Sequence, residues 1–221
     1  MAKTSNSLAA GKKKSQKKGA YHHGNLRRAL LDSALAMVEK EGPRGVSLRA
    51  VARLAGVSPA APYRHFAGKE GLLAAVAEEG FRSLERHMQA AREDTRGLAL
   101  AEFRAIGNAY IRFAANNPSH FRVMFGPEVS DKIAHPSLKI AADKASQIIA
   151  DAIANCQRSG LEGADINPQR LVVAAWATFH GLATLIVDGQ LSDMVRSDAD
   201  LEQLGNSVTD VIYRGLSFSG L

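Results

Sequence analysis

Apolar residues recur along this chain at spacings of three and four, and no segment alternates cleanly at a spacing of two, so the pattern is helical throughout. Leu26, Leu30, Ala34, Met37 and Val38 form one stripe, which predicts a first helix over residues 24–41, stopped by Gly42-Pro43. Ser47 stands as the N-cap of a second helix, whose Leu48, Val51, Ala52 and Ala55 face inward, and Gly56 ends it. Ser58 is positioned to cap a third, short helix reaching residue 66, with Pro59 at its first position, where a missing N–H costs nothing. A fourth helix over residues 69–92 carries Leu72, Leu73, Val76, Phe81, Leu84 and Met88. Further helices are expected at 98–116, 118–125, 136–159, 168–188 and 199–216, with Pro136 opening one, Gly160 closing it and Asn167-Pro168 opening the next. The expectation is an all-α chain of about nine helices. Residues 1–20 read as a disordered lysine-rich arm, 21–75 as a helix–turn–helix domain and 76–221 as a larger helical domain.

Composition sharpens this picture in three ways. With 46% hydrophobic residues, 221 residues can bury a substantial core. A single cysteine, Cys156, permits no internal disulfide, which fits a reducing cytoplasm, and its simplest role is as a small core residue. The Lys-rich start is followed only by Leu8-Ala9-Ala10, far short of a secretory h-region. The run 171–187 has 17 residues with His180 near its middle. That is shorter than the ~20 a membrane span needs. It is expected to be a helix buried in protein, not in a membrane.

The net charge of +6 is unevenly spread. Residues 1–20 hold six lysines and no acid, residues 21–75 hold eight Lys/Arg against four Asp/Glu, and the remainder holds fourteen against eighteen. A basic front ahead of a mildly acidic back points to a polyanionic partner for the front.

Residues 47–66 supply the chemistry for such a partner. A bracing helix, a glycine turn and a short second helix form the layout of a DNA-reading helix–turn–helix. Ala60 and Ala61 are small enough to let backbone sit deep in a major groove, and their methyls can meet thymine methyls. Tyr63, Arg64, His65 and Lys69 surround them, and all can bind phosphate or a base edge. Lys69 also falls near a helix start, where free N–H groups favour an anion. Ser47 and Arg49, at the start of the bracing helix, complete the expected DNA-binding set.

The stretch "GVSLRAVARLAGVSPAAPYRHFAGKEGLLAAV" strongly resembles the DNA-binding domain of TetR-type transcriptional regulators over about residues 24–75, with the Tyr-x-His-Phe-x-x-Lys core from Tyr63 to Lys69 as its specific part. "WATFHGL", Trp176 to Leu182, looks like the Trp-x-x-x-His-Gly signature of one subgroup of that family's C-terminal domains. The resemblance implies a homodimeric, usually repressing, ligand-responsive regulator of double-stranded DNA. In it, Ser58, Pro59, Ala60, Ala61 and Arg64 face the major groove, and Tyr63, His65 and Lys69 hold phosphates. Pro62 departs from the family, where many members carry leucine, and its missing N–H forfeits a bond to the Ser58 carbonyl.

In the back half, Phe103, Tyr110, Phe113, Phe121 and Met124, with Trp176 and His180, are expected to line an apolar pocket for a small effector between the helices at 69–92 and 168–188. The last two long helices are expected to pair with their copies in a homodimer, because Ala174, Ala175, Ala177, Gly181 and Ala183 permit close approach. No metal, cofactor or catalytic residue is expected. His22-His23 have no further ligands at a recognised spacing, "FAGKE" lacks the earlier glycine and the Ser/Thr of a phosphate loop, and the adjacent Glu78 and Glu79 point apart. A competing reading is an architectural DNA binder driven by the lysine arm, which would show little sequence preference.

Overall fold

The computed structural model describes residues 23–129, 131–159 and 167–217. The lysine-rich arm, Tyr21, His22 and Gly160 lie outside these residues. Among the described residues there are eight α-helices, two 3-10 turns and no strand. The helices are α1 (His23–Gly45), α2 (Leu48–Leu54), α3 (Gly68–Glu93), α4 (Ala99–Asn116), α5 (Pro118–Phe125), α6 (Pro136–Arg158), α7 (Pro168–Val187) and α8 (Asp198–Ser217). The predicted stop at Gly42 appears as a break inside α1, where Gly42 adopts φ 71° and ψ 171°.

The helix–turn–helix owes its turn to local chemistry. Ser47 Oγ accepts the Ala50 N–H at 3.3 Å and caps α2. At the other end Val57 N–H donates to Ala52 O at 2.9 Å and Gly56 N–H to Arg53 O at 3.2 Å, a Schellman pair closed by Gly56 at φ 69°. A side chain at residue 56 would be strained in this left-handed conformation.

The third helix expected over 58–66 is not α-helical. Its regular part is a single 3-10 turn at Pro62–Arg64, led by Ala61 with no side-chain cap, so Ser58 has no α-helix to cap. The reason is the proline pair. Pro62 has no N–H to give the Ser58 carbonyl, and Ala61 N–H takes that carbonyl instead at 2.9 Å. The bonds that follow, Arg64 N–H to Ala61 O at 3.2 Å and His65 N–H to Pro62 O at 3.0 Å, keep the tighter spacing.

A single apolar core runs from Leu30 in α1 to Leu201 in α8. The central helix is α3, which packs against α4, α5 and α6. It passes unbroken from the helix–turn–helix into the back half. The outer layer is fastened by polar staples: Arg104 to Asp210, Asn108 Nδ2 to Asn206 Oδ1 at 2.7 Å and Arg112 to Glu202 at 3.3 Å, all joining α4 to α8.

The helix α7 differs from its expected burial. At 20 residues it is long and apolar enough to cross a membrane by length and composition alone, and only 28% of its apolar window is buried. Leu171, Ala175, Phe179, Leu182 and Ala183 face the core. Val173, Ala174, Trp176, Ala177, Gly181 and Leu185 face outward.

Candidate nucleic-acid interface and back-half cavities

The front surface is a basic, thin-walled edge. Ser58, Pro59 and Ala60 are exposed, Ala61 is half-buried, and Tyr63 is 60% exposed beside an exposed Arg64. Pro62 and Phe66 turn inward and anchor this loop to the core, with the Arg27 guanidinium 5.5 Å from the Phe66 ring centroid. Ser47 and Arg49 are exposed at the start of α2. Arg53, not among the expected contacts, stands four residues after Arg49 and so shares its helix face, also exposed. The sequence signal that could have found it is that i, i+4 spacing.

Lys69 occupies the second position of α3, and its ammonium donates to the Arg44 carbonyl at 2.7 Å. Two of its three protons remain for an outside acceptor. Arg44 in turn reaches Glu128 at 3.4 Å, and Glu70 meets His135 Nε2 at 3.2 Å. The start of α3 is thus tied both to the end of α1 and to the back half.

Two cavities lie behind this edge. One, of about 440 Å³, opens between α3, α6 and α7, with Leu84, Met88, Ile149 and Trp176 in its walls and Lys132 at its mouth. The other, of about 480 Å³, lies in the seam between the end of α1 and the pair α5/α7, against Arg44, Phe121, Glu128, His180 and Thr184. Phe125 borders both.

Of the seven residues expected around one pocket, Tyr110 and Trp176 line the first cavity. Phe121 and His180 line the seam instead. Phe103, Phe113 and Met124 line neither cavity and are core. Phe103 packs on Phe179 with ring centroids 5.5 Å apart, Phe113 packs against His87 at 5.7 Å, and Met124 fills the space over Gly80. These three fall on buried stripes of α4 and α5 that face other helices. Trp176 and His180 do share a face, at 5.8 Å between ring centroids. His180 Nδ1 is hydrogen-bonded to the Tyr110 hydroxyl at 3.0 Å, so this pair forms a polar bridge between the two cavities. Burial holds the His180 imidazole below its ordinary pKa, with the Lys132 charge adding to the effect, so the ring is neutral at neutral pH. Burial likewise pushes the Tyr110 phenol up.

Residues 30–76 match the model of bacterial regulatory proteins of the tetR family, and residues 103–210 match the tetracyclin repressor-like C-terminal domain. Together the two matches take in well over half of the chain. The chain belongs to the TetR family. As a TetR-family protein it is a DNA-binding regulator, with the helix–turn–helix at its front and the family's C-terminal helical domain behind. A protein of unknown function from Rhodococcus sp. RHA1 shares this whole architecture, at 35% identity over 92% of this chain and 100% of that one, with a TM-score of 0.74. The uncharacterized HTH-type transcriptional regulator YobS of Bacillus subtilis is 26% identical over 130 residues, which are 59% of this chain and 60% of that protein. The regulator FadR of Bacillus subtilis, solved in complex with stearoyl-CoA, has the same fold at 16% identity, with a TM-score of 0.70 over 85% of this chain and 98% of that one.

Proposed function

We propose that this TetR protein is a homodimeric repressor that leaves its operator when a small, largely hydrophobic molecule occupies the 440 Å³ chamber between α3, α6 and α7. The observation that carries this reading is the course of α3. It lines the chamber with Phe81, Leu84 and Met88, and the same unbroken helix begins at Gly68, beside Lys69. A shift of α3 at the chamber therefore moves the DNA-facing edge. The ligand acts only through a difference in affinity between the operator-bound and free conformations.

In this reading Ser58, Pro59, Ala60, Ala61 and Arg64 enter the major groove, and Ser47, Arg49, Tyr63, His65 and Lys69 hold the backbone. The lysine-rich arm adds phosphate contacts, and the protein works in the cytoplasm. Trp176, His180 and Gly181 are the mark of its C-terminal subgroup. The outward faces of α7 and α8, with Val173, Leu185 and Val211 exposed, are the dimer surface.

The division of labour at the front is testable by titration of operator and scrambled duplexes. Arg64→Ala is expected to cost about 1–3 kcal/mol on the operator and to narrow its lead over scrambled DNA. Lys69→Ala is expected to weaken both duplexes alike and to flatten the dependence of log K on log salt by about one unit. An Arg64→Ala protein that kept its full operator preference would remove Arg64 from base readout.

The chamber is tested by a thermal-shift screen of hydrophobic metabolites on wild type and on Trp176→Ala and His180→Ala. Hits are expected to raise the wild-type Tm and to lose most of that shift in Trp176→Ala, which removes a chamber wall. The loss is expected to be smaller in His180→Ala, which lies behind Tyr110. Hits that stabilise all three proteins equally would put the effector elsewhere.

A further inference from the structure

Of the cations around the chamber, one has no ion-pair partner among the described residues. Asp131 is turned onto its own backbone, with Oδ1 accepting the N–H groups of Ile133 at 3.0 Å and Ala134 at 3.2 Å. Asp143 is paired with Lys139, whose ammonium donates to Oδ1 at 2.6 Å. Ser146 donates to the Ala142 carbonyl at 3.0 Å, and the Tyr110 hydroxyl is engaged with His180. Lys132 remains. Its ammonium forms no ion pair among the described residues and lies over two rings at the mouth, 4.7 Å from the Phe81 centroid and 5.4 Å from that of Phe125. Both rings border the chamber.

We infer that the chamber is built for a small amphiphilic anion, with its apolar body against Leu84, Met88 and Ile149 and its carboxylate at the ammonium of Lys132. This inference rests on the chamber being the effector site. Three physical points favour a negative head over a neutral one. The faces of Phe81 and Phe125 hold the ammonium over the opening, yet a ring face is a weaker partner than a carboxylate. Burial disfavours the Lys132 charge, no counter-ion among the described residues offsets it, and an incoming carboxylate would supply one. The remaining polar groups around the mouth already have partners inside the protein, so a second, competing anchor is lacking among the described residues. A cationic ligand would meet Lys132 as a like charge.

The only tryptophan of the chain, Trp176, stands in the chamber wall and reports its occupancy. Full-length protein is titrated with sodium decanoate and with 1-decanol, both below their aggregation limits, and indole fluorescence is followed. Decanoate is expected to reach half-saturation at a concentration about tenfold lower than decanol, the scale of one charged contact. Lys132→Met is expected to erase that advantage by weakening decanoate alone, and Lys132→Arg to keep it. Wild-type protein that binds decanol as well as decanoate would overturn the inference and leave the effector chamber standing. So would Lys132→Met with an unchanged decanoate titration. A Trp176 signal that responds to neither probe would overturn the chamber reading itself and the inference with it. The wild-type comparison of the two probes decides the question even if a variant fails to fold.

Discussion

Arginine placed at Gly181 is expected to give a folded monomer whose affinity for operator falls by about 10²–10⁴-fold, the gain that joining two half-site contacts in one molecule provides. Nothing within 4 Å meets a Cβ built at Gly181, so the fold of one chain has room for the new side chain. Arginine is also a better helix former than glycine by close to 1 kcal/mol. The same residue sits at the centre of the outward face of α7, with Ala174 and Ala177 on one side and Leu185 on the other. A face of alanine and glycine lets two helices approach closely, and a long cation there keeps them apart. Sedimentation of wild type and variant at micromolar concentration, with circular dichroism to confirm retained helix, reads the effect. A variant that remained a dimer and held its operator would move the interface away from α7.

Phe179→Ala is expected to cost about 3–5 kcal/mol of folding stability, the range for deleting a fully buried aromatic ring. Phe179 has no exposed surface, packs at a tilt against Phe103, and lies so close to Gly107 that a Cβ there would come within 2.7 Å of the ring. A bare helix backbone at Gly107 and the Phe103 ring pack directly on it. Urea unfolding at one fixed protein concentration measures it, since association contributes to apparent stability. A loss below about 1 kcal/mol would contradict the packing of α4 on α7. Trp176→Ala, at a residue 44% exposed three positions earlier, removes far less core and is expected to cost much less.

Helix placement was legible in the sequence wherever punctuation was local. Pro136, Asn167-Pro168 and Gly56 act through φ and a missing or added hydrogen bond with near neighbours, and the helices begin or end beside them. Two prolines three apart defeated the same logic at residues 58–66. Ser58 and Pro59 announce a helix start, but the second missing N–H at Pro62 turned the segment into a 3-10 turn. At the front edge Arg49, Arg53 and Arg64 are exposed, as the solvation of an unpaired charge requires, but Ser58, Pro59 and Ala60 are exposed for no reason that charge supplies.

The chamber was much less so. Phe103, Ile106, Tyr110 and Phe113 follow one helical stripe, and a stripe says that a face is buried without saying what lies opposite. Of these four, only Tyr110 meets the chamber, because α6 and the 131–133 turn stand across from it there. Lys132 carries no periodic signal at all. It lies in a turn, and only the packing of Phe81 and Phe125 gives its charge a place.

We propose that occupancy of the chamber and release of DNA are one event seen at two ends of α3. Its most direct test follows both ends in a single titration. Wild-type protein is held on a fluorescently labelled operator duplex, effector is added, and Trp176 fluorescence is recorded together with the anisotropy of the DNA label. The two signals are expected to change over the same range of effector concentration, so that DNA leaves as the chamber fills. A Trp176 signal that saturates while the anisotropy stays at its bound value would contradict it.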